Sequence, residues 1–222
     1  MILLQFSTSH YCRKARLALG YKGIDYRVKN LTPGLHALQL KPLTGYTTVP
    51  VLCPELPGKP EYIGDSSRIF RFLEKINSDR PLFPVDPEQR LKVEWLEDWL
   101  DESIGTATRF VYYDYRAGEG KAIDPSFSSQ MVIQVVRRQY GINLATVALA
   151  RDRLQLAFEV LASWKDQDYL NGDRLTIADV TAAALLSPLA LIPEYRRLVP
   201  WLFERIKAIH ALCGEPLPPG LA

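Results

Sequence analysis

The chain has almost no net charge, no long apolar run, and no cysteine or histidine spacing of a recognisable kind. Twenty-seven Lys and Arg against 25 Asp and Glu leave +2, a balance that gives no field for steering nucleic acid or an anionic membrane surface. Its apolar stretches fall far short of the about 18 residues of a membrane-crossing helix. Three cysteines, Cys12, Cys53 and Cys213, are odd in number and widely spread, which excludes a disulfide framework or a zinc-finger pattern and points to a reduced, cytoplasmic setting. His10, His36 and His210 lack metal-ligand spacing, so no metal is expected. Met1 to Phe6 is apolar but has no positive flank and meets Ser7, Thr8 and Ser9 at once, unlike a signal peptide. Neither nucleic acid nor membrane is an expected partner.

What is present suits a soluble globular protein. The 222 residues are 47% hydrophobic, 10% aromatic and 23% charged, enough for one or two domains with a sizeable core. Ile2–Phe6 reads as a buried strand. From Cys12 to Tyr21 the pattern is helical, with Cys12, Ala15, Ala18 and Leu19 on one face and Arg13, Lys14 and Arg16 on the others. Residues 24–29 read as a second strand, residues 35–40 as a short helical piece after the Pro33-Gly34 turn, residues 49–53 as a third strand and residues 61–63 as a brief fourth. Ile69, Phe72, Leu73 and Ile76 fall at i, i+3, i+4 and i+7 of a helix that starts at Asp65 or Ser66.

Residues 79–86 lie in a proline-rich stretch without periodicity and read as a linker between a domain over 1–78 and one over 87–222. Asp86 and Pro87 are a suitable N-cap and first helical residue. Nearly everything after them is helical in pattern. Trp95, Leu96, Trp99 and Leu100 form one stripe, and Ala150, Leu154, Ala157, Phe158 and Leu161 another. Thr176 and Asp179 are spaced as a short-armed capping box, and the Ala- and Leu-rich helix they open is apolar all round, as in the middle of a bundle. Pro188 should end or kink it. Residues 117–129, with their Gly, Lys and Ser, read as a mobile loop.

Four separated segments, taken together, fit one pattern: Ser9-His10-Tyr11-Cys12 between the first strand and first helix, Val49-Pro50 opening the third strand, Asp65-Ser66-Ser67-Arg68-Ile69 opening the third helix, and Asn171 to Asp179 (NGDRLTIAD). In order and spacing the chain resembles the soluble glutathione transferase superfamily, and Arg16–Tyr26 most resembles the zeta and omega-like classes. The resemblance implies a thioredoxin-like α/β domain followed by an all-α domain, glutathione as cosubstrate, a homodimer, and conjugation of glutathione to small hydrophobic electrophiles in detoxification.

The resemblance places Ser9 where thioredoxin-like relatives carry the first cysteine of Cys-x-x-Cys. A hydroxyl cannot replace a thiolate in disulfide exchange, but it can donate a hydrogen bond to the sulfur of bound glutathione. A thiol with a pKa of about 8.5 needs about 2.7 kcal/mol to shift by about two units. A hydrogen bond to a charged group contributes about 1.5–3 kcal/mol, and a helix N-terminus about 0.3–1 kcal/mol. The other reading of Ser9 is a helix N-cap, and one hydroxyl has one proton, so the two roles are expected to compete. Cys12 is either a buried small hydrophobe or a backup thiol.

By the same resemblance, Tyr11, Val49, Pro50, Asp65 and Ser66 hold glutathione: Val49 by its backbone beside a cis-Pro50, Ser66 at the γ-glutamyl carboxylate, Asp65 at the ammonium. Simple capping is the other reading for Asp65 and Ser66. His36, Gln39 and Lys41 are candidates for the glycine carboxylate. His10 is either an exposed loop histidine or a contact to substrate. The second substrate is expected against Arg109, Tyr112, Tyr113 and Arg116, whose rings offer apolar area with polar tips. Their other reading is core or dimer packing. A non-catalytic binder of an apolar ligand, and a glutathione-dependent isomerase or dehalogenase, are the alternative functions.

Overall fold

The computed structural model describes all 222 residues. The first unit runs β1 (Ile2–Gln5), α1 (His10–Tyr21), β2 (Arg27–Asn30), α2 (His36–Thr44), β3 (Val51–Cys53), β4 (Ile63–Gly64) and α3 (Ser66–Ile76). The sheet order is β2-β1-β3-β4. β1 pairs parallel with β2, Leu3 opposite Val28, and antiparallel with β3, Leu3 opposite Leu52. Side chains alternate across a strand. Leu3 and Leu52 therefore join the face covered by α1 and α3, while Leu4, Val51 and Cys53 join Leu31 and Leu40 on the other. This is the thioredoxin-like α/β domain.

Two elements differ from expectation. β2 begins at Arg27 and all four of its residues are exposed, because Ile24 and Tyr26 turn into the core before the strand starts. α2 runs on through Pro42 to Thr44 and closes with the Gly45 N–H on the Lys41 carbonyl, 3.0 Å, Gly45 supplying φ 79°.

The second domain is helical: α4 (Pro87–Trp99), a π-helical turn (Leu100–Ile104), α5 (Gly105–Ala117), α6 (Phe127–Gln139), α7 (Leu144–Val160), α8 (Ile177–Leu186), α9 (Pro193–Leu198) and α10 (Pro200–Leu212). Asp86 caps α4 by accepting from the Gln89 N–H, 2.9 Å. Every residue of α8 is buried. At its head the Asp179 carboxylate accepts from the Thr176 N–H at 2.8 Å, the Thr176 hydroxyl at 2.8 Å and the Leu170 N–H at 2.6 Å. A 3-10 turn, Ser187–Leu191, follows α8 at Pro188.

The stripe on α4 is not all core. Leu96 and Leu100 are buried beside Val93, but Trp95 is exposed and stacks flat on Trp99, ring centroids 6.3 Å apart. Residues 117–129 are more regular than a loop: a 3-10 turn covers Glu119–Ile123, and Ser126 caps α6 by accepting from the Ser129 N–H.

α1 packs against α3 on one side and α8 on the other, so the two domains share one continuous core. Gly20 marks the closest approach. A Cβ there would lie 2.0 Å from the Cys213 carbonyl oxygen. The C-terminal segment beyond α10 is tied to α1 by Glu215 on Arg16, 2.5 Å.

Candidate active site at the start of the first helix

Ser9 ends the β1–α1 loop with extended backbone (φ −70°, ψ 124°) and is half-buried. Its Oγ accepts from the Cys12 N–H at 3.3 Å. The cap thus uses an oxygen lone pair, so capping does not by itself consume the hydroxyl proton. Cys12 is fully buried on the core side of the helix. Burial pushes its thiol above 9.0, and the nearby Ser9 side chain and Phe6 backbone only partly oppose this. That environment belongs to an inert structural cysteine.

The Val49–Pro50 peptide is cis, with Val49 half-buried against the cluster that contains Phe6 and Tyr62. Asp65 holds φ 75° and ψ 131°, a conformation that costs a non-glycine residue on the order of 1–3 kcal/mol. Its carboxylate accepts from the Arg68 N–H at 2.9 Å and is otherwise exposed. Ser66 is buried at the first position of α3. The first amides of that helix have no intrahelical partner, and with the helix dipole they form a seat for a carboxylate. His36 packs edge-on against Phe6, centroids 4.8 Å apart, and its Nδ1 accepts from the Gly34 N–H at 3.1 Å. Gln39 and Lys41 are exposed on α2.

Tyr11 faces the helical domain. Its hydroxyl donates to the Asp101 carbonyl at 2.8 Å. Gly105 makes room for it, since a Cβ there would lie 2.7 Å from that hydroxyl. Beside it lies a buried charge network that the sequence reading missed. Lys14, fully buried, donates to both Glu97 and Asp101 and to the Ser67 hydroxyl at 3.2 Å. Ser67 also donates to Glu97, 2.7 Å. Burial lifts the Asp101 carboxyl to about 6 against the opposing pull of Lys14. The π-helical turn carries Asp101, whose carboxylate meets Lys14 while its carbonyl meets Tyr11. A signal for this was available: Lys14 sits three and four residues before Leu17 and Ala18, on a core-facing side of α1.

His10 corrects the expectation of an exposed loop histidine. It is the first residue of α1, only 8% exposed, and its ring lies 4.6 Å from that of Tyr11. Burial, then the charges of Arg109 and Arg13, hold its pKa well below 6.5, so it is neutral. Its Nε2 has no partner. Arg109 stacks between the Tyr11 and Tyr140 rings, 5.1 and 4.6 Å from their centroids. Arg116 donates to the Tyr112 hydroxyl at 3.0 Å and to Ser129 at 3.3 Å. Tyr112 meets Tyr113 edge-on at 5.2 Å. The structure therefore brings His10, Arg109, Tyr112, Tyr113 and Arg116 to one interdomain wall. A surface hollow of about 370 Å³ lies elsewhere, between Asp86, Lys92 and Asn171, and no hydrophobic residue lines it.

The sequence profile of the glutathione S-transferase N-terminal domain family matches residues 3–81, the stretch that carries Ser9, Pro50 and Asp65. Over that stretch the chain is similar to the N-terminal domain of glutathione S-transferases. Glutathione S-transferase 3 of Glycine max is 34% identical over 110 residues, 47% of this chain and 47% of that protein. The probable glutathione S-transferase MSR-1 of Nicotiana plumbaginifolia is 28% identical over 145 residues, 64% of this chain and 61% of that protein. The matches thus span about half to three-fifths of these curated relatives. Among solved structures, a glutathione S-transferase of Methylobacterium radiotolerans in complex with glutathione sulfonate superposes with a TM-score of 0.73 at 24% identity, covering 98% of this chain and 94% of that one. The β-etherase LigF of Sphingobium does so at 0.72 and 19%, covering 99% and 96%. At these identities the likeness is one of fold, and the fold is that of the glutathione transferases: a thioredoxin-like domain joined to a helical one.

Proposed function

We propose that the protein is a glutathione transferase that binds glutathione at the start of α1, holds its sulfur as thiolate through Ser9, and adds it to a small hydrophobic electrophile in the interdomain cleft. The observation that carries this reading is the Ser9 hydroxyl at the N-terminus of α1, where its oxygen accepts from the Cys12 N–H. The helix supplies a positive end and the hydroxyl supplies a donor, which together lower a thiol pKa by about two units on the magnitudes above. Val49 offers its backbone to the tripeptide as an added strand. The head of α3, with Ser66, receives the γ-glutamyl carboxylate, and Asp65 the ammonium. The strain held at Asp65 is consistent with a position set by a ligand rather than by packing. Tyr11 closes the site from the side of the helical domain. Catalysis is then positioning of two substrates plus stabilisation of one anion.

The serine-containing motif is of the zeta/omega-like kind, and the protein acts as a cytoplasmic homodimer in detoxification. Three buried free thiols, Cys12, Cys53 and Cys213, suit a reduced compartment. The test is steady-state conjugation of glutathione to a chlorodinitrobenzene by wild type and Ser9→Ala, beside calorimetry with glutathione alone. Turnover that depends on Ser9 supports the reading. Tight glutathione binding without turnover favours a non-catalytic binder, and no glutathione uptake overturns both.

A further inference from the structure

The cations on and around α1 and α5 that matter to the site fall into two groups. Those with structural tasks on α1 are paired: Lys14 with Glu97 and Asp101, Arg16 with Glu215, Lys22 with Glu74. Those on the interdomain wall are not. Arg13, Arg109 and Arg116 have no carboxylate within ion-pair distance, although Arg13 and Arg116 are only 5% and 8% exposed. Arg13 makes one side-chain hydrogen bond, to the neutral Ser187 hydroxyl at 2.6 Å. Acids in the neighbourhood are engaged elsewhere: Glu215 holds Arg16, Asp114 pairs with Arg137 at 3.4 Å, and Asp124, which feels the Arg116 charge, accepts from the Ser126 N–H at 3.1 Å.

A buried cation without a counter-charge is costly, and guanidinium forks match carboxylates in bidentate geometry. Two further atoms point the same way: His10 Nε2 and Arg116 Nε are buried and have no partner. Tyr112 joins Arg116 to the aromatic rings, since Arg116 bonds its hydroxyl at 3.0 Å. Around these polar atoms stand the Tyr11, Tyr112 and Tyr113 rings.

We propose that the second substrate is an aromatic electrophile bearing a carboxylate, its ring against Tyr112 and Tyr113 and its carboxylate in the cluster of Arg13, Arg109 and Arg116 beside His10. The inference rests on the glutathione-transferase reading of the site and narrows it from a hydrophobic to an anionic aryl substrate. The tyrosines bury the ring; the arginines supply the charge that the fold leaves uncompensated. His10, kept neutral, adds no competing cation before the substrate arrives.

The test uses product analogues. S-benzylglutathione and its meta- and para-carboxybenzyl counterparts are titrated into the whole protein by calorimetry at one ionic strength. The better carboxybenzyl conjugate is expected to bind about tenfold tighter than the benzyl one, as about 1.4 kcal/mol of added charge-assisted hydrogen bonding requires. That ratio should collapse in Arg109→Gln and in Arg116→Gln, and return in part in Arg109→Lys, which keeps the charge and shows that the fold survives. A wild-type ratio below about threefold, which is under half the expected energy, overturns the inference while the transferase reading stands. So does a ratio that is unchanged in both glutamine variants. If none of the conjugates binds, the glutathione reading fails and this inference falls with it.

Discussion

Ser9 caps α1 with its oxygen, and the proposed function gives its hydroxyl proton a second task. Ser9→Ala therefore has two separable costs. Loss of the cap should lower stability by about 1 kcal/mol, read in urea denaturation. Loss of a hydrogen bond to a thiolate should lower kcat/KM for conjugation about ten- to a hundredfold. Cys12→Ala is the control. Its thiol is buried and pushed above 9.0, so the variant should keep its turnover within about twofold while losing some stability as a small cavity forms. Activity abolished in Cys12→Ala would instead assign the chemistry to a protein sulfur. Ser9 was visible as a candidate through the family resemblance, which places it where thioredoxin-like relatives carry a cysteine. The division of labour within one hydroxyl was not, since it depends on which atom faces the helix amide.

Among the elements, α8 is where local sequence and tertiary structure agree most closely. Thr176 and Asp179 announce a cap, and the Asp179 carboxylate indeed accepts from the Thr176 amide and hydroxyl, then reaches Leu170 as well. Burial raises Asp179 from 3.8 to about 6 despite these bonds. Asp179→Asn exchanges one acceptor oxygen for a donor and should cost about 2–3 kcal/mol in urea denaturation. A carboxyl whose folded pKa is raised binds more protons folded than unfolded between the two values, so its contribution to stability falls as pH rises from 3.8 to about 6. The variant should lose that slope; a variant with the wild-type slope would mean the carboxyl is not what titrates. Elements with weak periodicity were read less well. β2 is an exposed edge of four residues with no alternation to mark it, and α2 runs past a proline that local rules take as a stop.

For the whole molecule, α1 is the shared beam of both domains, and the Lys14 network locks them together. Lys14→Met leaves Glu97 and Asp101 buried without their cation and should cost about 3–5 kcal/mol. Because one core spans both domains, fluorescence of the four tryptophans, all within the helical domain, should report the same urea midpoint as far-ultraviolet dichroism of the whole chain. Separate midpoints would show two independent folding units. Two-domain architecture was legible because a proline-rich linker separates two kinds of periodicity. The interdomain wall was legible only in part. Arg109, Tyr112, Tyr113 and Arg116 stood out on one helix, but the roles of His10, Arg13 and Lys14 depend on what α4, the π-helical turn, α5 and the turn after α8 bring to α1, which no local pattern contains. The assembled site makes one claim above all, that glutathione is held as its thiolate by a serine. Thiolate absorbance of glutathione bound to the wild-type protein, followed as pH is raised, measures this directly. The expected midpoint is about 6.5, two units below the free thiol, moving back toward about 8.5 in Ser9→Ala. A bound thiol that titrates at about 8.5 in the wild type, or at the same midpoint with and without the Ser9 hydroxyl, contradicts it.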